Sequence, residues 1–400
     1  MANNSFNKEH AIYILALVIS FALFLTIIFS NQSPYSKDFL INETQTNETN
    51  QFDYLKFSND IELEQGHMYA IASADFNKDG LRDIVLGNFN RNNYYFINKG
   101  NKEFEKTVEF GSGNTEDFAA ADFNNDNFID LAVAKYGENS EIYINNDGYT
   151  FESTLALGNH YTRTFSAEDF NGDGNMDVFV GADGENFVYF GNGDFTFTEQ
   201  KLPGTLHTMS STAADFDNDG DLDIAIGTDF QKNYLYINSG AGDFIFMPLP
   251  GDKYHTYAVD ACDLNNDNYA DLIIGNNNQN SETQNPNYIY LNNHDLTFTI
   301  IPEFGSYYTY AVKCADFNND GKMDVALGNY NQQSKLYINN GEMKFYSQDA
   351  FGFGYARAII AADFNNDQLL DLAVAKDITD AIDNLKSKVV SEVYLQLNGQ

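Results

Sequence analysis

One nine-residue phrase occurs seven times in this chain and limits what it can fold into. The copies are DFNKDGLRD from Asp75, DFNNDNFID from Asp122, DFNGDGNMD from Asp169, DFDNDGDLD from Asp215, DLNNDNYAD from Asp263, DFNNDGKMD from Asp316 and DFNNDQLLD from Asp363. They start 47, 47, 46, 48, 53 and 47 residues apart. A fixed period of that length belongs to solenoids and propellers.

The surroundings repeat as well. A run of small and apolar residues such as AIASA precedes each phrase, and an apolar stretch such as IVLG or LIIG follows it. A third segment (YYFIN, YLYIN) and, after a turn, a fourth (FTFTEQKL, FIFMPLP) complete the period. Four short strands separated by Gly, Asn and Asp turns make a propeller blade. The 34 Phe and 26 Tyr suit strands better than helices. The expectation is an all-β chain, a seven-bladed β-propeller of four-stranded blades over residues 51–400. The last repeat stops after its third strand, EVYLQLNGQ, and the strand-like segment 51–63 (QFDYLKFSNDIEL) is expected to supply the fourth. That pairing would close the ring and hide two sheet edges. DITDAIDNLKSKV, in the last repeat, is the one helical candidate within the repeats.

The phrase also carries chemistry. Carboxylates stand at positions 1, 5 and 9, with Asn or Asp at position 3. The resulting sets are Asp75, Asn77, Asp79 and Asp83; Asp122, Asn124, Asp126 and Asp130; Asp169, Asn171, Asp173 and Asp177; Asp215, Asp217, Asp219 and Asp223; Asp263, Asn265, Asp267 and Asp271; Asp316, Asn318, Asp320 and Asp324; and Asp363, Asn365, Asp367 and Asp371. A hard cation takes six to eight oxygens, and a tight loop of this composition offers them. Calcium fits better than magnesium, which keeps its waters. About seven calcium sites follow from the seven loops. The EF-hand is excluded, because position 12 is apolar in every copy where that motif needs Glu. Position 6 is Gly or Asn except at Gln368, so the seventh loop departs from the residues that tolerate positive φ.

The loop D-F-N-x-D-G-x-x-D, followed by an apolar strand, resembles the FG-GAP/VCBS-like repeat found in the integrin α-subunit propeller and in microbial surface proteins. The resemblance implies a propeller with calcium in the loop between the first and second strands of each blade, on the lower face. It does not imply integrin membership.

A ligand would then meet the opposite face. Eight residues before each loop stand His67, Asn114, Tyr161, His207, His255, Tyr308 and Tyr355. Six before stand Tyr69, Glu116, Arg163, Met209, Tyr257, Tyr310 and Arg357. These rings are expected around the mouth of the central channel, where aromatic, His, Arg and Glu side chains suit a glycan or protein ligand.

The formal net charge of −36 argues against nucleic-acid partners, which need the opposite sign. Cys262 and Cys314 are too few for a disulfide framework and read as two buried small side chains. Residues 11–29 carry no charge over 19 positions, enough to anchor the chain in a bilayer as a single helix, the alternative being a cleaved signal peptide, whose apolar core is usually shorter. That leaves a tail at 1–10 and a polar stalk at 30–50, with Asn42 and Asn47 in glycosylation-type triplets. Loops that need external calcium put the N-terminus in the cytoplasm and the propeller outside. The function expected is a calcium-binding cell-surface module for adhesion or ligand capture. The alternatives are a carbohydrate-active lyase or hydrolase on the same scaffold, and a structural part of an envelope assembly.

Overall fold

In the computed structural model, residues 55–251, 253–277, 286–301, 304–305, 307–353, 355–377 and 389–397 are described. The anchor segment, the tail, the stalk, residues 51–54 and the helical candidate near 378–388 lie outside the described residues.

The described chain is all-β. In the first repeat, Met68–Ala74, Asp83–Asn88, Asn93–Asn98 and Phe104–Phe110 pair antiparallel in chain order. The other repeats follow the same order. In the last, Ala356–Ala362, Asp371–Lys376 and Glu392–Leu397 pair in turn, and Lys56–Glu62 adds on as the fourth strand against Glu392–Leu397. Burial is greatest at the second strand and falls toward the outer edge. Second strands such as DIVLGN are buried at every position, whereas a fourth strand such as FTEQK is largely exposed. A strand buried on both faces has sheets packed against both, so its sequence is an apolar run rather than an alternation. Neighbouring sheets share their cores. Ile71, Ile84 and Leu86 of the first repeat pack with Ala373, Ala375 and Val393 of the last. The glycine that ends the second strand has a steric reason. A Cβ on Gly87 would stand 2.7 Å from Thr115 Cγ2 of the next repeat, and one on Gly275 would stand 2.9 Å from Thr309 Cγ2.

Two further devices join repeats. On the loop side, the residue ending the third strand reaches back to the previous repeat. Asn145 Nδ2 donates to Phe76 O (2.9 Å), Asn238 to Phe170 O (2.6 Å) and Asn339 to Leu264 O (2.8 Å). Asn98 donates to Phe364 O (2.8 Å), tying the first repeat to the last. The other device corrects the reading of the cysteines: Cys262 and Cys314 form a disulfide, Cα to Cα 6.4 Å. They sit at the ends of the inner strands Tyr254–Cys262 and Thr309–Ala315, which are neighbours in space. A separation of 52 residues conceals that adjacency until the strands are placed side by side.

Candidate functional site

The acidic loops share one geometry. In the first, Asp75 Oδ1 accepts the Asp79 N–H (3.0 Å) and Oδ2 accepts the Gly80 N–H (2.9 Å). Asn77 Oδ1 also accepts the Asp79 N–H (2.9 Å), and Asp79 Oδ1 accepts the Leu81 N–H (2.9 Å). The same bonds recur in the last loop, where Asp363 Oδ2 accepts the Gln368 N–H at 2.7 Å. Gln368 takes φ +71°, so it adopts the conformation that Gly80 adopts at +86°. Its departure changes the strain in the loop rather than its shape. Position 4 is also left-handed throughout, from Lys78 (φ 61°) to Asn366 (φ 58°). Sequence reasoning overlooked this second requirement, although Asn or Gly fills position 4 in six of the seven loops.

The position-9 aspartates are fully buried staples. Asp83 Oδ2 accepts the Phe76 N–H (3.2 Å) and Oδ1 accepts the Asn98 N–H (2.8 Å), so one carboxylate ties the loop to the third strand. Asp177 does the same for Phe170 (2.9 Å) and Gly191 (2.8 Å). Burial pushes Asp83, Asp177 and Asp371 up to about 6, and Asp130, Asp223, Asp271 and Asp324 up to about 7. In the fourth loop, ligand oxygens of Asp215, Asp217 and Asp223 all lie within 4.8 Å of one another, a donor set that fits a hard cation. The fifth and sixth loops already hold a basic group. His294 Nε2 lies 2.8 Å from Asp267, and Lys322 Nζ lies 2.8 Å from Asp320. Burial acts to raise both carboxyls, but these partners and nearby N–H donors outweigh it and hold them below the usual range.

At the other end of the inner strands, one ring converges and the other does not. Tyr69, Glu116, Arg163, Met209, Tyr257, Tyr310 and Arg357 line one cavity of about 990 Å³ that runs along the inner strands. Arg163 Nη1 donates to Glu116 Oε1 (2.8 Å), and its guanidinium lies 3.8 Å from the centre of the Tyr136 ring. Arg357 lies among Tyr69 (4.4 Å), Tyr310 (4.3 Å) and Tyr330 (5.0 Å) and donates through Nη2 to Asp377 (3.0 Å). Burial pushes Glu116 up to about 7, against the pull of Arg163 and Arg357.

His67, Tyr161, His207, His255, Tyr308 and Tyr355 do not line that cavity. Most of them bridge repeats at the rim instead. His67 Nδ1 pairs with Asp377 (3.0 Å), His207 with Asp183 and His255 with Asp229, each aspartate belonging to the preceding repeat. The Tyr161 ring meets Tyr136, and Tyr355 meets Tyr330. The partners form a third ring that sequence reasoning missed: Phe89, Tyr136, Asp183, Asp229, Asn277, Tyr330 and Asp377. Each stands fourteen residues after its loop begins, a fixed offset that could have shown them. Among the described residues, no ring contact or ion pair joins Asn277 to Tyr308. At that junction lie the disulfide and the Lys313–Asp260 pair (3.0 Å).

The FG-GAP-like repeat model matches residues 75–133, 169–226, 215–274, 263–327 and 316–374. No curated protein matches the sequence. Among solved structures, an Agrocybe aegerita lectin that recognises non-reducing terminal N-acetylglucosamine is similar at TM-score 0.50 and 19% identity, over 72% of this chain and 80% of that one. BBS1N, crystallised in complex with ARL6DN, is similar at TM-score 0.57 and 10% identity, over 84% and 97%. The Neurospora crassa Pan2 WD40 domain is similar at TM-score 0.54 and 11% identity, over 84% and 90%. At these identities the likeness is one of fold, the β-propeller.

Proposed function

Because the chain belongs to the FG-GAP-like repeat family, we propose that it is a seven-bladed, calcium-binding surface propeller that captures a ligand at the mouth of its central channel. One observation carries the reading. Side chains from six repeats, Tyr69, Glu116, Arg163, Tyr257, Tyr310 and Arg357, converge on one cavity of about 990 Å³. Convergent polar and aromatic groups in a concavity are what a binding site needs. The disulfide supports placing the domain in an oxidising compartment outside the cytoplasm, and the uncharged span 11–29 supports an anchor with its N-terminus inside. Calcium would be held by positions 1, 3, 5 and 9 of the loops, most readily in the fourth loop, where Asp215, Asp217 and Asp223 at positions 1, 3 and 9 cluster. It would supply charge neutralisation, not chemistry. The lectin's printed ligand favours testing sugars first.

The decisive experiment is a glycan and peptide array probed with the full chain, with calcium and with chelator. Calcium-dependent binding that is lost on Tyr257→Ala or Arg163→Gln is the expected result. Binding that no mouth substitution alters would end the reading. Equal melting temperatures in chelator and in millimolar calcium would remove calcium from it, because a ligand at about a hundred times its Kd adds about 2.7 kcal/mol per site. Protease added to intact cells should release the domain if it faces outward. One observation favours an enzyme instead: Glu116, held near 7 beside two guanidinium groups, is suited to proton transfer. Loss of a turnover on Glu116→Gln would support that reading.

A further inference from the structure

We infer that the channel mouth recognises a carboxylate-bearing saccharide, with the acid group on Arg163 and the sugar among the rim aromatics and channel hydroxyls; this rests on the mouth being the ligand site. The two arginines there differ in what they have left to offer. Arg357 gives Nε and Nη2 to Asp377, a carboxylate with no exposed side-chain surface, and lies among three tyrosines. It is part of the wall. Arg163 makes one hydrogen bond, through Nη1 to Glu116, and its buried Nε has no partner among the described residues. A guanidinium has five N–H donors in a rigid fork, and leaving a buried one unmade is costly. The fork matches a carboxylate, which accepts two parallel N–H bonds. The Tyr136 ring at 3.8 Å holds the group flat, so little order remains to be lost on binding.

The surroundings select the rest of the ligand. Tyr161 is half exposed, meets the same Tyr136 ring at 5.3 Å between centres, and holds φ +53°. Phe230 is 61% exposed at φ +55°, packed against His255. A bulky side chain held left-handed costs energy, and such strain gathers at binding sites. Beneath the rim, the hydroxyls of Thr164, Ser166 and Ser211 bond to one another at 2.9 and 3.0 Å in the channel wall. Hydroxyls that donate and accept suit the hydroxyls of a sugar. Glu116 is the internal rival for the fork. It holds Nη1 alone, at 2.8 Å.

The test is calorimetric titration of the full chain in calcium with three probes: trigalacturonate, its fully methyl-esterified form, and a pentapeptide with one central aspartate. The acid sugar should bind about tenfold or more tighter than the ester, in line with a charged hydrogen-bonded pair. Arg163→Gln should remove that preference, so that acid and ester bind alike. Glu116→Gln should strengthen the acid sugar severalfold, an outcome that a damaged fold cannot produce. Equal binding of acid and ester, a tighter peptide, or no binding of any probe would each overturn the inference. The mouth reading fails separately, if a ligand found on the array ignores every mouth substitution.

Discussion

The loop face and the mouth face are built from the same repeats, at opposite ends of the same inner strands. At the loop face, position 9 is Asp in every copy, and its bonds to buried backbone N–H groups recur from Asp83 to Asp371. At the mouth, the residues six before the loop are Tyr69, Glu116, Arg163, Met209, Tyr257, Tyr310 and Arg357. The difference separates two kinds of constraint. A buried N–H must be met wherever the loop occurs, so the carboxylate repeats with the backbone. A channel wall needs only side chains that fill the space and have partners, which leaves each repeat free to contribute something different.

The comparison breaks most visibly at a staple. Asp177→Ala would leave the Phe170 and Gly191 N–H groups buried and unpaired, at about 1–3 kcal/mol each. A rim change such as Tyr161→Ala should stay within about 0.5 kcal/mol of wild type. Urea denaturation of the two variants measures the contrast, and equal losses would show that the repeating face is no more structural than the mouth. Next in size is the junction of the fifth and sixth repeats, where the disulfide lies. Replacing Cys262 and Cys314 together by Ser should cost about 2–4 kcal/mol by the same assay. No loss would mean that the Lys313–Asp260 pair already secures it.

A smaller effect comes from Glu116 and has a defined sign. Its folded pKa is raised to about 7 from 4.5, so its contribution to stability is complete below 4.5 and is lost as pH rises through 7. Asp117 is also raised, to about 6, but remains in both proteins, as do Arg163 and Arg357. Wild type should therefore fall progressively below Glu116→Gln in melting temperature between pH 5 and 8. Parallel curves would mean that Glu116 is solvated at the mouth. The smallest effect returns to the loop face. Gln368→Gly should gain about 1 kcal/mol, since φ +71° costs Gln what it does not cost Gly. A Cβ at Gly80, Gly174, Gly220 or Gly321 would meet nothing within 4 Å, so little contact is given up. A loss on thermal melting would show that the Gln368 side chain holds the loop.

How far the sequence reaches can be read from single residues. The apolar residue at position 12, such as Leu86, lies in a fully buried second strand, because an apolar run beside a turn motif has one way to be buried. Position 6 was legible as a left-handed site. Position 4 was equally so, but Lys78 and the many Asn residues hid it. The mouth was half legible: an offset of six picks out the cavity wall, whereas an offset of eight picks out residues that mostly tie one repeat to the next.

By itself the sequence determined the period, the strand order within each repeat and the acidic loops, because these rest on local geometry and on burial that a linear pattern records. Tertiary structure decided which repeats touch and through what. Cys262 meets Cys314, Asp377 meets His67, and Arg163 meets Glu116 while, among the described residues, its buried Nε has no partner. Those facts depend on distances between strands about fifty or about three hundred residues apart, and only the packing of sheet on sheet fixes such distances.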